Sequence, residues 1–149
     1  MGELNRPVVR LHLWLETDDG VFFGSGRLQL LQRIASCGSL KSAADSLGMS
    51  YRAAWGKIKR TEDILGFKLI EKRHGNRAGY ELTEFGRILM DTFQQWFDDV
   101  ERMALARARE LFPYESRGYE ERVPLRMELP ARLPRAAGAE AGARAVCFK

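Results

Sequence analysis

The chain has 149 residues, 45% of them hydrophobic and 10% aromatic, with a net charge of +4; this is apolar material for one ordinary core with appendages. No run approaches the roughly 18 apolar residues that span a bilayer, and the N-terminus lacks the apolar core of a signal peptide, so a cytoplasmic protein without membrane contact is expected. Cys37 and Cys147 have neither metal-type spacing nor an obvious disulfide framework, which suits a reducing compartment.

Residues 8 to 16 alternate, with Val9, Leu11, Leu13 and Leu15 on one face and Arg10, His12, Trp14 and Glu16 on the other. Asp18, Asp19 and Gly20 then lead into Val21, Phe22 and Phe23. This pattern predicts a β-hairpin. From Arg27 the period becomes helical, with Leu28, Leu31, Ile34 and Ala35 on one stripe until Cys37 and Gly38 stop it.

Ser39 is placed to cap a short second helix carrying Leu40, Ala43, Ala44 and Leu47. Ser50 is placed to cap a third, with Ala54, Ile58, Thr61 and Leu65 as its inner stripe and Gly66 at its end. Two short helices joined through Leu47, Gly48, Met49 and Ser50 predict a helix-turn-helix, and the paired alanines suit two backbones approaching closely. Residues 67 to 73 read as a strand, 74 to 79 as a glycine-containing basic loop, and Tyr80 to Leu82 as a returning strand, which together make the wing of a winged helix.

Thr83 opens a last helix that can run to Phe112, about 45 Å at 1.5 Å per residue. Leu89, Phe93, Trp96, Val100 and Met103 recur at spacings of four and three, as in a coiled-coil seam, beside a second stripe of Phe85, Ile88, Phe97 and Ala104. One stripe can pack on its own domain and the other needs a partner, most simply a second copy of the helix. Four of the five prolines follow, in an Ala, Gly and Arg mixture. Residues 113–149 are therefore expected to be a largely disordered tail, with a strand over Val123 to Leu129 as the competing reading.

The expected organisation is mainly α with small β-hairpins: an N-terminal hairpin over 1–24, a winged helix-turn-helix over 25–83, a dimerisation helix over 84–112 and the tail. Residues 50 to 77 hold eight basic side chains against three acidic ones, a local field suited to a polyanion. A third helix in the major groove would present Ser50, Tyr51, Arg52, Trp55, Lys57 and Lys59, the residues off its inner stripe. Arg52 is assigned to guanine, Tyr51 to an apolar or hydroxyl contact, and Ser50 and Lys57 to phosphate; Trp55 could instead pack under the wing. His74, Asn76 and Arg77 at the wing tip would meet phosphate or the minor groove. Ser39, Lys41 and Ser42 at the start of the second helix could hold a backbone phosphate or simply cap the helix.

The segment GSLKSAADSLGMSYRAAWGKIKRTEDILGFKLIEKRHGNRAGYELTEFG, Gly38 to Gly86, resembles the DNA-binding domain of LysR-type regulators. It is more closely similar to the N-terminal domain of the ModE family of molybdate-responsive transcription regulators, chiefly through SYRAAW, LTEFG and the hairpin before helix one. The resemblance covers about residues 8 to 112. It implies a homodimeric, sequence-specific regulator that binds double-stranded DNA. Full-length members carry molybdate-binding domains after the long helix, and 37 residues are too few for one, so no cofactor is expected.

An enzyme is disfavoured. The two histidines, His12 and His74, have no paired carboxylate or thiol at a telling spacing, and no phosphate loop, nucleophile elbow or zinc ligand set is present, so neither catalytic nor metal-binding residues are assigned. The competing binding function is a winged helix that contacts an acidic protein partner instead of DNA.

Overall fold

The computed structural model describes residues 7–76, 78–113 and 115–118. Its elements in chain order are β1 (Val8–Val9), β2 (Trp14–Thr17), β3 (Gly20–Gly24), α1 (Ser25–Cys37), α2 (Leu40–Ser46), α3 (Tyr51–Leu65), β4 (Ile70–Lys72), β5 (Tyr80–Leu82), α4 (Glu84–Leu111) and β6 (Arg117–Gly118). The architecture is mainly helical, with antiparallel pairs β2–β3 and β4–β5 and a short parallel pair β1–β6. It is a winged helix-turn-helix preceded by a hairpin and followed by a long helix, the class expected from the sequence.

The N-terminal pairing differs from a single hairpin. Burial alternates along residues 9 to 16 as the hydrophobic pattern requires, but only Trp14–Thr17 pairs with β3, through a bulge between Leu15 and Glu16. Val8 and Val9 instead pair in parallel with Arg117 and Gly118. The cause is the length of α4, which carries the chain back past its own start, and both short strands pack beside that helix. The described beginning of the 113–149 segment is thus ordered, with Ser116 buried. Val123 to Leu129, like all of 119–149, lies outside the described residues.

Helix α1 is the hub. It touches α2, α3, α4, β3 and β5, and this enclosure buries Leu30, which a single inner stripe leaves out, along with Leu28, Leu31 and Ile34; Ala35 is exposed. Around it gather Phe23, Leu40, Ala43, Ala44, Ala54, Ile58, Leu69, Ile70, Leu82 and Phe93.

The turn between α2 and α3 requires a left-handed residue, and Gly48 supplies it with φ +67°. Ser39 and Ser50 cap the two helices as expected, accepting hydrogen bonds from the backbone N–H groups of Ser42 and Ala53.

The inner face of α3 is Ala54, Ile58, Thr61 and Glu62; Leu65 is only half-buried. Glu62 was not anticipated inside. One carboxylate oxygen accepts from the N–H groups of Leu69 at 2.8 Å and Ile70 at 3.4 Å, and the other lies 3.0 Å from Lys68 Nζ. It thereby satisfies two backbone donors where the chain turns into the wing.

Thr83 caps α4, accepting from Gly86 N–H and donating to the Lys68 carbonyl. Gly86 packs so close to the residue before β4 that a Cβ there would run into the Leu69 carbonyl oxygen.

The seam assigned to dimerisation on α4 divides. Phe93 is 3% exposed and meets Phe23 edge-on at 5.0 Å, within the chain's own core. Leu89 packs partly against that core. Phe93 is therefore corrected from an interface residue to a core residue. The turn of the helix that faces α1 takes it inward, while Trp96 and Met103 stay 39% and 66% exposed and Val100 is half-buried. Ile88, assigned to the other stripe, is also exposed.

Candidate nucleic-acid interface

Two structures buttress α3 from behind. Its inner face joins the core, and the β2–β3 hairpin ties to its C-terminal half: Thr61 Oγ1 donates to the Phe22 carbonyl at 2.5 Å, Arg60 donates to the Asp19 carbonyl, and Arg27 bridges the Lys57 and Val21 carbonyls. Burial, then the charge of Arg60, pushes the Arg27 guanidinium down from its ordinary value. These tethers hold the helix rigidly against the hairpin. Arg27 and Arg60 escaped the sequence reading because their partners are backbone carbonyls distant in the chain, which no spacing reveals.

The outer face of α3 carries the residues assigned to it. Tyr51 is 47% exposed in the first turn, and Arg52 is exposed beside it; among the described residues the Arg52 side chain has no hydrogen bond or ion pair. Lys57 is half-buried. Lys59 is exposed and lies 2.7 Å from Asp63, whose hydrogen bond and charge raise its pKa. Such a solvent-exposed pair is weak and easily exchanged for another anion. Trp55 turns toward the wing, its ring 5.8 Å from that of Tyr80 on β5. With Gly56, Lys59, Arg60, Asp63, Ile64 and the hairpin residue Asp19, Trp55 also lines an open groove of about 620 Å³.

The wing is closed by Arg73 N–H donating to the Gly79 carbonyl, and it is anchored to the core by Tyr80 N–H donating to the Gly38 carbonyl. His74 and Asn76 are exposed at its tip. Arg77 lies outside the described residues. At the start of α2, the Ser39 hydroxyl is engaged in capping, Ser42 is half-buried, and Lys41 is exposed with Asp45 at 3.8 Å. The structure thus groups Ser50, Tyr51, Arg52 and Trp55 on α3, with Trp55 reaching the wing.

A family model described as the bacterial regulatory helix-turn-helix protein, lysR family, matches residues 26–87. Residues 26–87 are a lysR-type helix-turn-helix domain. The match runs from the second residue of α1 through the wing to the first turn of α4.

The chain is also similar to the molybdenum transport protein ModE of Azotobacter vinelandii, 32% identical over 54% of this chain and 30% of that one. The transcriptional regulator ModE of Haemophilus influenzae is 30% identical over 60% of this chain and 34% of its own length. The DNA-binding transcriptional dual regulator ModE of Escherichia coli is 30% identical over 54% and 32%. The alignments thus span about a third of each relative. A crystal structure of the BenM DNA-binding domain with benA site 1 DNA overlays at a TM-score of 0.46 with 20% identity, over 56% of this chain and 94% of that one. Among the described residues no helix is long and apolar enough to cross a membrane.

Proposed function

We propose that this chain is a transcription regulator that binds double-stranded DNA sequence-specifically, with the first turns of α3 in the major groove and the wing alongside. One observation carries the reading. Arg52 stands exposed, and without a partner among the described residues, on a capped helix whose opposite face is fixed in the core, beside a basic wing. A helix held this way projects side chains at a surface without reorganising, and a major groove about 12 Å wide admits it. The lysR-type domain and the likeness to ModE regulators support the same conclusion.

In this reading Arg52 contacts guanine, Tyr51 lies beside it, and Ser50, Lys57 and Lys59 lie along phosphates with His74, Asn76 and Arg77 of the wing. The role is binding and not catalysis, it is exercised in the cytoplasm, and the DNA contact needs no cofactor. Two copies act together through the outer row of α4, where Ile88, Trp96 and Met103 are exposed. The test is selection of bound duplexes from a random pool, with and without molybdate. An enriched, approximately palindromic site in both conditions is expected, because two-fold protein symmetry is mirrored in the DNA. A pool that stays random after repeated selection contradicts sequence-specific binding.

A further inference from the structure

The wing carries two acidic side chains, Glu71 and Glu81, to which the DNA-binding reading gives no role. Glu71 on β4 stands directly across the pair from Glu81 on β5, and His74 follows Glu71 by three residues at the tip. The ligand-capable atoms of all three lie within 4.8 Å of one another. Glu71 and His74 are exposed, and Glu81 is half-buried.

Like charges set directly opposite on adjacent strands are destabilising, and nothing among the described residues relieves this pair. None of the three side chains has a hydrogen bond or ion pair there. Lys68 lies on Glu62 and the Arg73 guanidinium lies against Gly38, while Lys72, next to Glu71 on β4, forms no ion pair with either carboxylate among the described residues. A bound cation turns the opposition of the two carboxylates from a cost into an attraction.

We propose that Glu71, His74 and Glu81 form a binding site for a borderline divalent transition-metal ion of the Zn²⁺ class, clasped across the two strands of the wing. The imidazole selects the metal. Mg²⁺ and Ca²⁺ take oxygen ligands, whereas one imidazole with two carboxylates suits the borderline ions. Bonds of about 2.0–2.2 Å require ligand atoms about 3.5 Å apart in a tetrahedral arrangement. The long side chains reach that spacing by rotating about their own bonds, while the closing hydrogen bond from Arg73 to Gly79 keeps the hairpin fixed. Three protein ligands leave a fourth position for water. An ion held there joins β4, the tip and β5, and so stiffens the wing. The site shares His74 with the proposed DNA contact, but zinc binding is measured without DNA and so is tested separately from that reading.

The test is calorimetric titration of the full, tag-free, EDTA-treated chain with Zn²⁺, repeated with His74→Ala and with Glu71→Gln/Glu81→Gln. Glu71 and His74 face solvent and Glu81 is half-buried, and circular dichroism checks that each variant keeps its fold. One Zn²⁺ per chain is expected, undisturbed by equimolar Mg²⁺. Each variant should bind about tenfold more weakly or worse, since even partners behind a metal ligand are worth about 10–100-fold. Absence of Zn²⁺ binding by the unaltered chain, or binding undiminished in both variants, overturns the assignment.

Discussion

The Trp55 indole of α3 and the Tyr80 ring of β5 lie with centroids 5.8 Å apart and planes tilted by 50°, so the exposed helix and the wing share an aromatic contact. A tilted pair of this kind adds about 0.5–1.5 kcal/mol beyond its buried area. Tyr80→Leu keeps apolar bulk but removes the ring, and it should weaken duplex binding by about 2- to 10-fold with the circular dichroism spectrum unchanged. Unaltered affinity in a binding titration would show that the wing acts independently of α3.

Glu62 is the hinge of the α3-to-wing turn. Glu62→Ala leaves the N–H groups of Leu69 and Ile70 without their carboxylate partner, and an unsatisfied buried donor costs about 1–3 kcal/mol. Urea unfolding should therefore lose about 2–4 kcal/mol in this variant. Glu62→Gln retains an acceptor oxygen and should lose less. Equal losses would mean that the charge on Lys68, and not the backbone hydrogen bonding, holds the turn.

Much of the frame is legible in the sequence, because it rests on local signals. Ser39, Ser50, Gly38 and Gly66 mark the helix ends through the hydrogen bonds and backbone angles that helix ends demand. The small residues Ala43, Ala44 and Ala54 mark where the helices approach. What escaped depends on contacts distant in the chain. Leu30 is buried because α1 is enclosed on several sides, Glu62 because backbone donors from the following strand converge on it, and Val8–Val9 pair with β6 because α4 returns the chain to its start. The wing cluster was invisible for a related reason: Glu81 joins Glu71 and His74 only through the hairpin register. The heptad-like spacing on α4 located an apolar helix, but periodicity alone does not say which stripe faces its own domain.

Gly86 is a packing requirement of the kind that composition hides. In Gly86→Ala the added methyl would enter the Leu69 carbonyl, so α4 or β4 must shift. Overpacking of this sort costs about 1–3 kcal/mol, although alanine is the better helix former. A thermal melt should show a lower midpoint; an unchanged or raised one would mean that α4 moves away from β4 freely.

The division of the α4 seam separates stability from assembly. Phe93→Ala should cost about 3–5 kcal/mol of folding stability, as truncation of a buried phenylalanine does. Trp96→Glu/Met103→Glu alters exposed positions; on the proposed dimer, the unaltered chain should sediment as a dimer and the double variant as a folded monomer. A double variant that remains dimeric removes this row of α4 from the interface.

The central claim is that the first turn of α3 reads base sequence, and Arg52 tests it most directly. A guanidinium bidentate to guanine O6 and N7 is worth about 1–3 kcal/mol of discrimination. The measurement is titration of the full chain and of Arg52→Ala against a selected duplex and a random duplex, each at several salt concentrations. Arg52→Ala should weaken the selected duplex by about 5- to 150-fold, the equivalent of that energy, and the random duplex far less, with preference relaxed at one base pair of each half-site. Equal weakening on both duplexes, with the salt slope reduced by about one unit, would mean that Arg52 grips the phosphate backbone and would contradict the claim.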